Sequence, residues 1–464
     1  MGGDNKPRRF CQGCFEKQIE IDRLKEDIRL LKARLWYQER TAQEGCFGSS
    51  TPSSRIPTKA NSSEELQNKK GGACPGHPGH GRKAVTASQA DHIVDIEIGD
   101  TCPACGGKLT EKKGWRPRTV IDIQPIKIEK ILYHLARKKC AQCGRVFQEK
   151  APHVFPKSLF GNELLSHIAV QHYIHGIPLG RLEAQLDIGL GSMIGALHHL
   201  AKLLKDVPER LITDYRQSPV KHADETGWRN DGHSGYSWIF CTNKISIFRF
   251  RKSRSSKIAF EVLGTQKLPG VLVVDRYNAY NKAPVNLQYC YSHLLREVED
   301  AEKEFPDHEE VKCFVSTLAP LLVQAMRLRS QNISDRKFYH QARALKQKIV
   351  DVVQSPARHA GIQRIQDIFR THAHRMYHWA ENRDVPADNN LAERELRPTV
   401  IARKVSFGSQ SEEGAKTREV LMTVLHSLRK RAPDFAARFK AVLDRLAVEP
   451  SSDPYGLLFP PPDT

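Results

Sequence analysis

Between residues 218 and 275 the chain reads strand, strand, strand, helix, strand, and no other stretch restricts its fold as tightly. Residues 220–225, 235–241 and 245–250 carry the alternation and β-branched content of strands, a helical pattern follows near 257–263, and Val271-Leu272-Val273-Val274 is an apolar run closed by Asp275. Three strands joined by short turns pair antiparallel, whereas a strand reached through a helix crosses over and runs parallel. The order therefore predicts that the first and fourth strands lie side by side. Asp224, on the first, and Asp275, at the end of the fourth, then become neighbours.

That order is the opening of an RNase H-like domain, and its two carboxylates suit phosphodiester chemistry. Two divalent ions, magnesium or manganese, are held by hard oxygen ligands, one ion activating the attacking oxygen and the other stabilising the leaving one. A third acid must come from elsewhere. Glu393, in Asp388-Asn389-Asn390-Leu391-Ala392-Glu393-Arg394, is the candidate, on a helix whose Arg394, Arg397, Arg403 and Lys404 would meet DNA phosphates. Arg397 lies one turn from Glu393, so an ordinary ion pair between them is the competing reading. Glu225 points to the opposite strand face from Asp224 and is not counted as a ligand.

At 464 residues the chain exceeds one ordinary domain, and a prior of about 150 residues per domain predicts several modules in a multidomain α+β protein. Residues 1–40 hold Cys11 and Cys14, then Ile21, Leu24, Ile28, Leu31 and Leu35 at alternating steps of three and four, a short heptad seam read as a homodimer or higher-oligomer contact. Residues 41–95, rich in Ser, Thr, Pro and Gly, read as a flexible linker ending in a basic arm. A zinc-binding module is expected over 96–150, a helical segment of helix-turn-helix type over 155–215, the catalytic domain over 216–410 with a helical insertion at about 300–385, and a C-terminal helical tail over 411–464.

Cysteine spacing carries the zinc expectation. Cys102-Pro103-Ala104-Cys105-Gly106 and Cys140-Ala141-Gln142-Cys143-Gly144 are matched knuckles, each with a glycine that permits a tight turn, and four thiolates on two hairpin tips make a tetrahedral structural zinc site. Between them, residues 119–131 are rich enough in β-branched side chains for a small sheet. Cys290 and His293 have metal-like spacing too, but read as a core thiol and a helix-start histidine. The net charge of +19 fits a polyanionic partner such as DNA. No apolar run approaches the roughly 20 residues of a membrane span, and no secretory signal opens the chain, so a cytoplasmic, nucleoid-associated protein without a membrane partner is expected.

Four segments, His222-Ala-Asp-Glu-Thr226, Asp275-Arg-Tyr-Asn-Ala-Tyr280, Cys290-Tyr-Ser-His-Leu-Leu-Arg296 and Asn389-Asn-Leu-Ala-Glu-Arg-Glu-Leu-Arg-Pro398, followed by Arg403-Lys404, together resemble the insertion sequence sixty-six family of transposases. The resemblance is ordered and nearly full length; Arg276 and Tyr291 stand where that family often has Gly and Trp. It implies a DDE transposase that binds terminal inverted repeats, nicks the element's ends and attacks target DNA with the freed 3′-hydroxyl, with accessory proteins of the same element as possible partners. Asp224, Asp275 and Glu393 inherit the metal-ligand roles. Two other readings stay open: a catalytically inactive, zinc-containing DNA-binding protein derived from a transposase, and an RNase H-fold nuclease that cuts without joining.

Overall fold

The computed structural model describes residues 17, 20–21, 23–29, 87–90, 93–94, 101–108 and 128–461. The chain divides into two compact units, residues 54–132 and the remainder. In the smaller, residues 101–108 form a knuckle closed by a bridge between Thr101 and Lys108. Most of the β-branched 119–131 stretch, all of Cys11 and Cys14, and Leu31 and Leu35 of the heptad seam lie outside the described residues. The described part of that seam is helical, and its Ile21, Leu24 and Ile28 are exposed.

The larger unit is built on a five-stranded mixed sheet. Its strands β3 (Val220–Asn230), β4 (His233–Cys241), β5 (Ser246–Arg251), β6 (Val271–Val274) and β7 (Asn286–Tyr289) follow a small hairpin of β1 (Arg137–Lys139) and β2 (Val146–Gln148). They are ordered β5-β4-β3-β6-β7. β3–β4 and β4–β5 pair antiparallel, while β3–β6 and β6–β7 pair parallel. The crossover from β5 to β6 runs through a helix over Ser256–Leu263, as the sequence order requires. β3 is five residues longer than its apolar pattern suggests, because Asp231 and Gly232, both at positive φ, make the tight turn that carries the chain straight into β4. β7 was not visible in the pattern at all: Asn286-Leu287-Gln288-Tyr289 is too short and too polar, and is a strand only because β6 offers it an edge.

Helices enclose this sheet. In chain order they are α1 (Asn162–Tyr173), α2 (Leu179–Leu186), α3 (Leu190–Leu203), α4 (Val207–Gln217), α5 (Ser256–Leu263), α6 (Tyr291–Glu304), α7 (Glu309–Leu328), α8 (Asp335–Gln354), α9 (Ala360–Thr371), α10 (His378–Glu381), α11 (Asn390–Ser406), α12 (Glu412–Arg431), α13 (Phe435–Val448) and α14 (Pro454–Leu458). The insertion between the second and third carboxylates is helical, α6 to α10, with Val311, Leu318 and Leu322 of α7 facing Phe338, Leu345 and Ile349 of α8 in its core. α7 has the length and mean hydropathy of a membrane span, which the reading of the sequence missed, but its buried face belongs to this bundle.

α12 covers the outer edge of β5. Three outward N–H groups of that strand, at Ser246, Phe248 and Phe250, donate to Ser427 Oγ (3.0 Å), Thr423 Oγ1 (3.0 Å) and Glu419 Oε2 (3.1 Å). Two residues of strand and four of helix advance by nearly the same length, about 6–7 Å, so one helix face can serve a whole strand edge. The stretch 411–464, expected to be a tail, thus supplies both a sheet edge and core residues Leu421, Val424, Leu425 and Leu428.

The segment 155–215 is joined to the same helices. Asn162 Nδ2 donates to Asp444 Oδ1 (3.0 Å), His198 Nδ1 meets Thr417 Oγ1 (2.6 Å), and His426 Nε2 meets the carbonyl of Tyr173 (3.2 Å). α2 and α3 are joined by a turn in which Asp187 is left-handed, and Met193, Leu197 and Leu200 of α3 are core residues.

Candidate active site

Asp224 stands on the central strand β3, two residues past His222, which is in register with Val273 of β6; Asp275 directly follows β6. The two carboxylates are therefore level on adjacent parallel strands. Each accepts a local backbone bond: Glu225 N–H to Asp224 Oδ1 (2.9 Å) and Tyr277 N–H to Asp275 Oδ1 (3.0 Å), the latter an Asx turn that leads the chain off the sheet. Glu393 arrives in the first turn of α11, and its charge and that of Asp275 both reach Asp224. Asp224 is pushed well above the usual carboxylate range, first by burial and then by the charges of Glu225, Asp275 and Glu393.

Glu225 has other partners, in keeping with strand alternation. Its carboxylate accepts from Arg254 Nε (3.0 Å) and Nη2 (2.6 Å) and from Tyr280 O–H (2.7 Å), and the Arg254 guanidinium lies 3.9 Å from the centre of the Tyr277 ring. Arg276, next to Asp275, is ion-paired with Glu297 of α6.

A buried amide fixes the third carboxylate's helix. Asn389, 0 % exposed, precedes α11; its Nδ2 donates to the carbonyl of Ala223 (2.9 Å), its Oδ1 meets His222 Nδ1 (2.9 Å) and its backbone N–H donates to Cys290 Sγ (3.1 Å). Since Nδ2 is the donor to Ala223, Oδ1 must accept, so His222 carries its proton on Nδ1. Burial pushes the His222 pKa down to about 4, which keeps the ring neutral in that role. One residue thus joins β3, through its side chain, and the junction of β7 and α6, through its backbone, to α11. Sequence reading passed over Asn389 because an amide has no charge to draw attention.

Cys290, His293 and Glu393 bring ligand atoms within 4.8 Å of one another. The Cys290 thiol is buried and pushed up to about 12, first by burial and then by Glu393, so it behaves as a core thiol. His293 Nδ1 and Glu393 Oε1 are both buried without a hydrogen-bond partner. These two orphaned polar atoms, with the Asp275 carboxylate near enough to act on both His293 and Asp224, form a donor set that a hard divalent cation fits.

Of the four cationic residues singled out on α11, Arg394, Arg397 and Lys404 are exposed and carry no ion pair among the described residues, and the spacing-permitted pair of Glu393 with Arg397 does not form. Arg403 turns inward, donating to the Gly227 carbonyl (2.6 Å) and Thr226 Oγ1 (3.3 Å), and so ties α11 to β3.

The two cysteine knuckles, one in each unit, have the same local build. Cys102 N–H donates to Gly107 O (2.8 Å) and Gly106 N–H to Cys102 O (2.9 Å); Cys140 N–H donates to Arg145 O (2.8 Å) and Gly144 N–H to Cys140 O (3.0 Å). Gly106 and Gly144 take φ of 74° and 69°. Thr101 pairs with Lys108 as Lys139 pairs with Val146. Backbone N–H groups of Ala104 and Cys105 hold the Cys102 thiol below its ordinary pKa, and those of Cys143 and Gln142 do so for Cys140. Amides aimed at a sulfur favour the thiolate, the form that binds metal.

The chain is similar to known proteins over most of its length. Residues 157–417 match the family described as "Transposase IS66 family", and residues 100–144 match the "zinc-finger binding domain of transposase IS66". Three uncharacterized proteins of Sinorhizobium fredii (strain NBRC 101917 / NGR234) are similar over most of their length. Protein y4jD is 25% identical over 396 residues, covering 77% of this chain and 76% of its own; y4qI is 22% identical, covering 78% and 74%; y4hP is 21% identical, covering 79% and 74%.

Proposed function

The chain belongs to the IS66 family of transposases and carries that family's zinc-finger domain, and on that premise we propose that it binds the terminal inverted repeats of an insertion sequence, cuts the strand at each end and joins it to target DNA. The catalytic domain is taken as RNase H-like from its strand order β5-β4-β3-β6-β7, with antiparallel pairing on one side of β3 and parallel pairing on the other. The observation that carries the reading is the convergence of Asp224, Asp275 and Glu393 from three separate elements, with Glu393 Oε1 left unpartnered among them.

Asp224, Asp275 and Glu393 would hold two magnesium or manganese ions, which when bound supply activation of the attacking oxygen and charge neutralisation at the leaving one. The residues around them keep the three carboxylates in place: Asn389 fixes α11 against β3, while Arg254 and Tyr280 occupy Glu225 and leave Asp224 free for the site. Arg394 and Arg397 present positive charge within about one turn of Glu393, and Lys404 about three turns along α11, where the DNA backbone would pass. Arg403 serves this surface from below by fixing the helix. Cys102, Cys105, Cys140 and Cys143 would hold a structural zinc that folds a module too small for a core of its own. The exposed Ile21, Leu24 and Ile28 fit a seam between two copies.

The test is a strand-transfer assay with purified protein, a labelled end fragment and magnesium. Nicked ends and joined product are expected from the native chain, and neither from Asp275→Asn. Cutting without joining would make the protein a nuclease, and full activity in Asp275→Asn would remove the assignment.

A further inference from the structure

We infer that Phe407 is a wedge that enters the DNA base stack, several base pairs from the phosphate at which Glu393 acts; the inference rests on the transposase reading above. It starts from the solvent face of α11. Arg394, Arg397, Ile401, Lys404 and Val405 fall at helical spacing on one side, and all are exposed, the two apolar members by 53 % and 42 %. A mixed cationic and apolar stripe of this kind is unsuited to bulk water alone. The helix then ends on Phe407, which is 66 % exposed and left-handed, with φ 60° and ψ −13°.

An aromatic side chain gains nothing for the fold at that position. Left-handed helix ends are usually glycine or asparagine, because a Cβ there crowds the backbone. Exposure removes any burial in return. The backbone that carries the ring is nevertheless held firmly. Phe407 N–H donates to the Arg403 carbonyl (2.9 Å), Ser409 N–H to the Arg229 carbonyl (2.9 Å), Asp231 N–H to the Ser409 carbonyl (2.8 Å) and Trp228 Nε1–H to Ser409 Oγ (3.2 Å). Gly408, at φ 141°, sits so close that a Cβ would lie 2.1 Å from the Arg229 carbonyl oxygen. The turn is thus riveted to the β3–β4 hairpin, and Phe407 projects from a stiff support.

The cations choose the occupant. Among the described residues Arg394, Arg397 and Lys404 carry no acid partner on that face, so it suits a polyanion and repels a second copy of a chain with net charge +19. Apolar side chains next to phosphate-binding cations are how proteins part base steps. Glu393 and Phe407 are fourteen residues apart on the helix, about 21 Å at 1.5 Å per residue. Along a duplex of 3.4 Å per step this is roughly six base steps.

The experiment uses the full chain and end fragments in which a thymine is placed at each successive position from the cleaved phosphate, probed with permanganate, which reacts with unstacked thymine. Bound native protein should raise reactivity severalfold at one position, roughly six steps from the cut. Phe407→Gly should abolish that signal and weaken end binding about tenfold, while Phe407→Tyr keeps both. Phe407→Gly should also melt at a higher temperature than the native chain, since glycine suits the backbone there, so loss of the signal is not loss of fold. Equal reactivity in the native chain and Phe407→Gly, or no reactive position with native protein that cuts and joins, overturns the wedge. A native chain that neither cuts nor joins overturns the transposase reading, and the wedge with it.

Discussion

Asn389 donates from Nδ2 to the backbone carbonyl of Ala223 across 2.9 Å, a bond between residues 166 positions apart that sets the helix of Glu393 against the strand of Asp224. The carbonyl belongs to the residue before one carboxylate, and the amide sits four residues before the other. Register between the two acids is therefore fixed by one uncharged side chain.

Replacing Asn389 should loosen the cage before it unfolds the protein. Asn389→Ala strands the Ala223 carbonyl and the His222 Nδ1 proton in a dry interior, at a cost of about 1–3 kcal/mol. Strand cleavage should fall on the order of a hundredfold, with the magnesium concentration for half-maximal cleavage displaced upward. A metal titration of cleavage, read beside thermal melting, checks this. An unchanged magnesium dependence would reduce Asn389 to a packing residue.

Asp224 should be costly to the metal-free protein. Its pKa is raised in the folded chain, so the stability it contributes is complete below the unfolded carboxylate pKa and is lost as pH rises through the folded value. At neutral pH without metal, Asp224→Asn should melt higher than the native chain, by about 2–4 °C. Added magnesium or manganese should raise the native melting temperature and leave the variant's much less changed. Melting curves with and without metal decide it.

Acid should part α1 from α12. His172 is pushed down to about 3 by burial and then by the Arg418 charge, and His426 to about 4 by burial. Both rings are neutral when folded and gain protons on unfolding, so their contribution is complete above pH 6.5 and drains away as pH falls toward 4. For a fully buried ring the loss is roughly 3 kcal/mol. Urea midpoints measured between pH 7 and 4 should drop, and His426→Gln should flatten the curve.

Zinc removal should act locally. One zinc per chain is expected, and Cys140→Ser or a chelator should release it and expose residues 101–108 and 137–148 to protease. The sheet and its helices have a core of their own and should melt at nearly the native temperature. Metal analysis and limited proteolysis test the two halves of this statement.

The parts of this architecture that were legible in the sequence share one trait: a periodic or charged signature within a short window. The β3 to β6 order, the two cysteine knuckles and the three carboxylates all have it. What was illegible depends on distant partners. β7 is a strand because β6 lies beside it, Arg403 points inward because β3 offers a carbonyl, and Asn389 matters because of two elements more than ninety residues away in the chain. The sequence also allowed Glu393 and Arg397 to pair, but Arg397 is exposed while Glu393 Oε1 is buried without a partner. Residues 411–464 looked like an appendage since nothing in their own pattern announces a sheet edge.

That edge limits where the gene can be broken. Ser427, Thr423 and Glu419 quench the three outward amides of β5, and a product truncated ahead of them would carry a bare strand whose own Ile247, Phe248 and Phe250 are apolar. Such a strand recruits another like itself. A shortened copy ending ahead of α12 is therefore expected to self-associate through β5 rather than stay a soluble monomer.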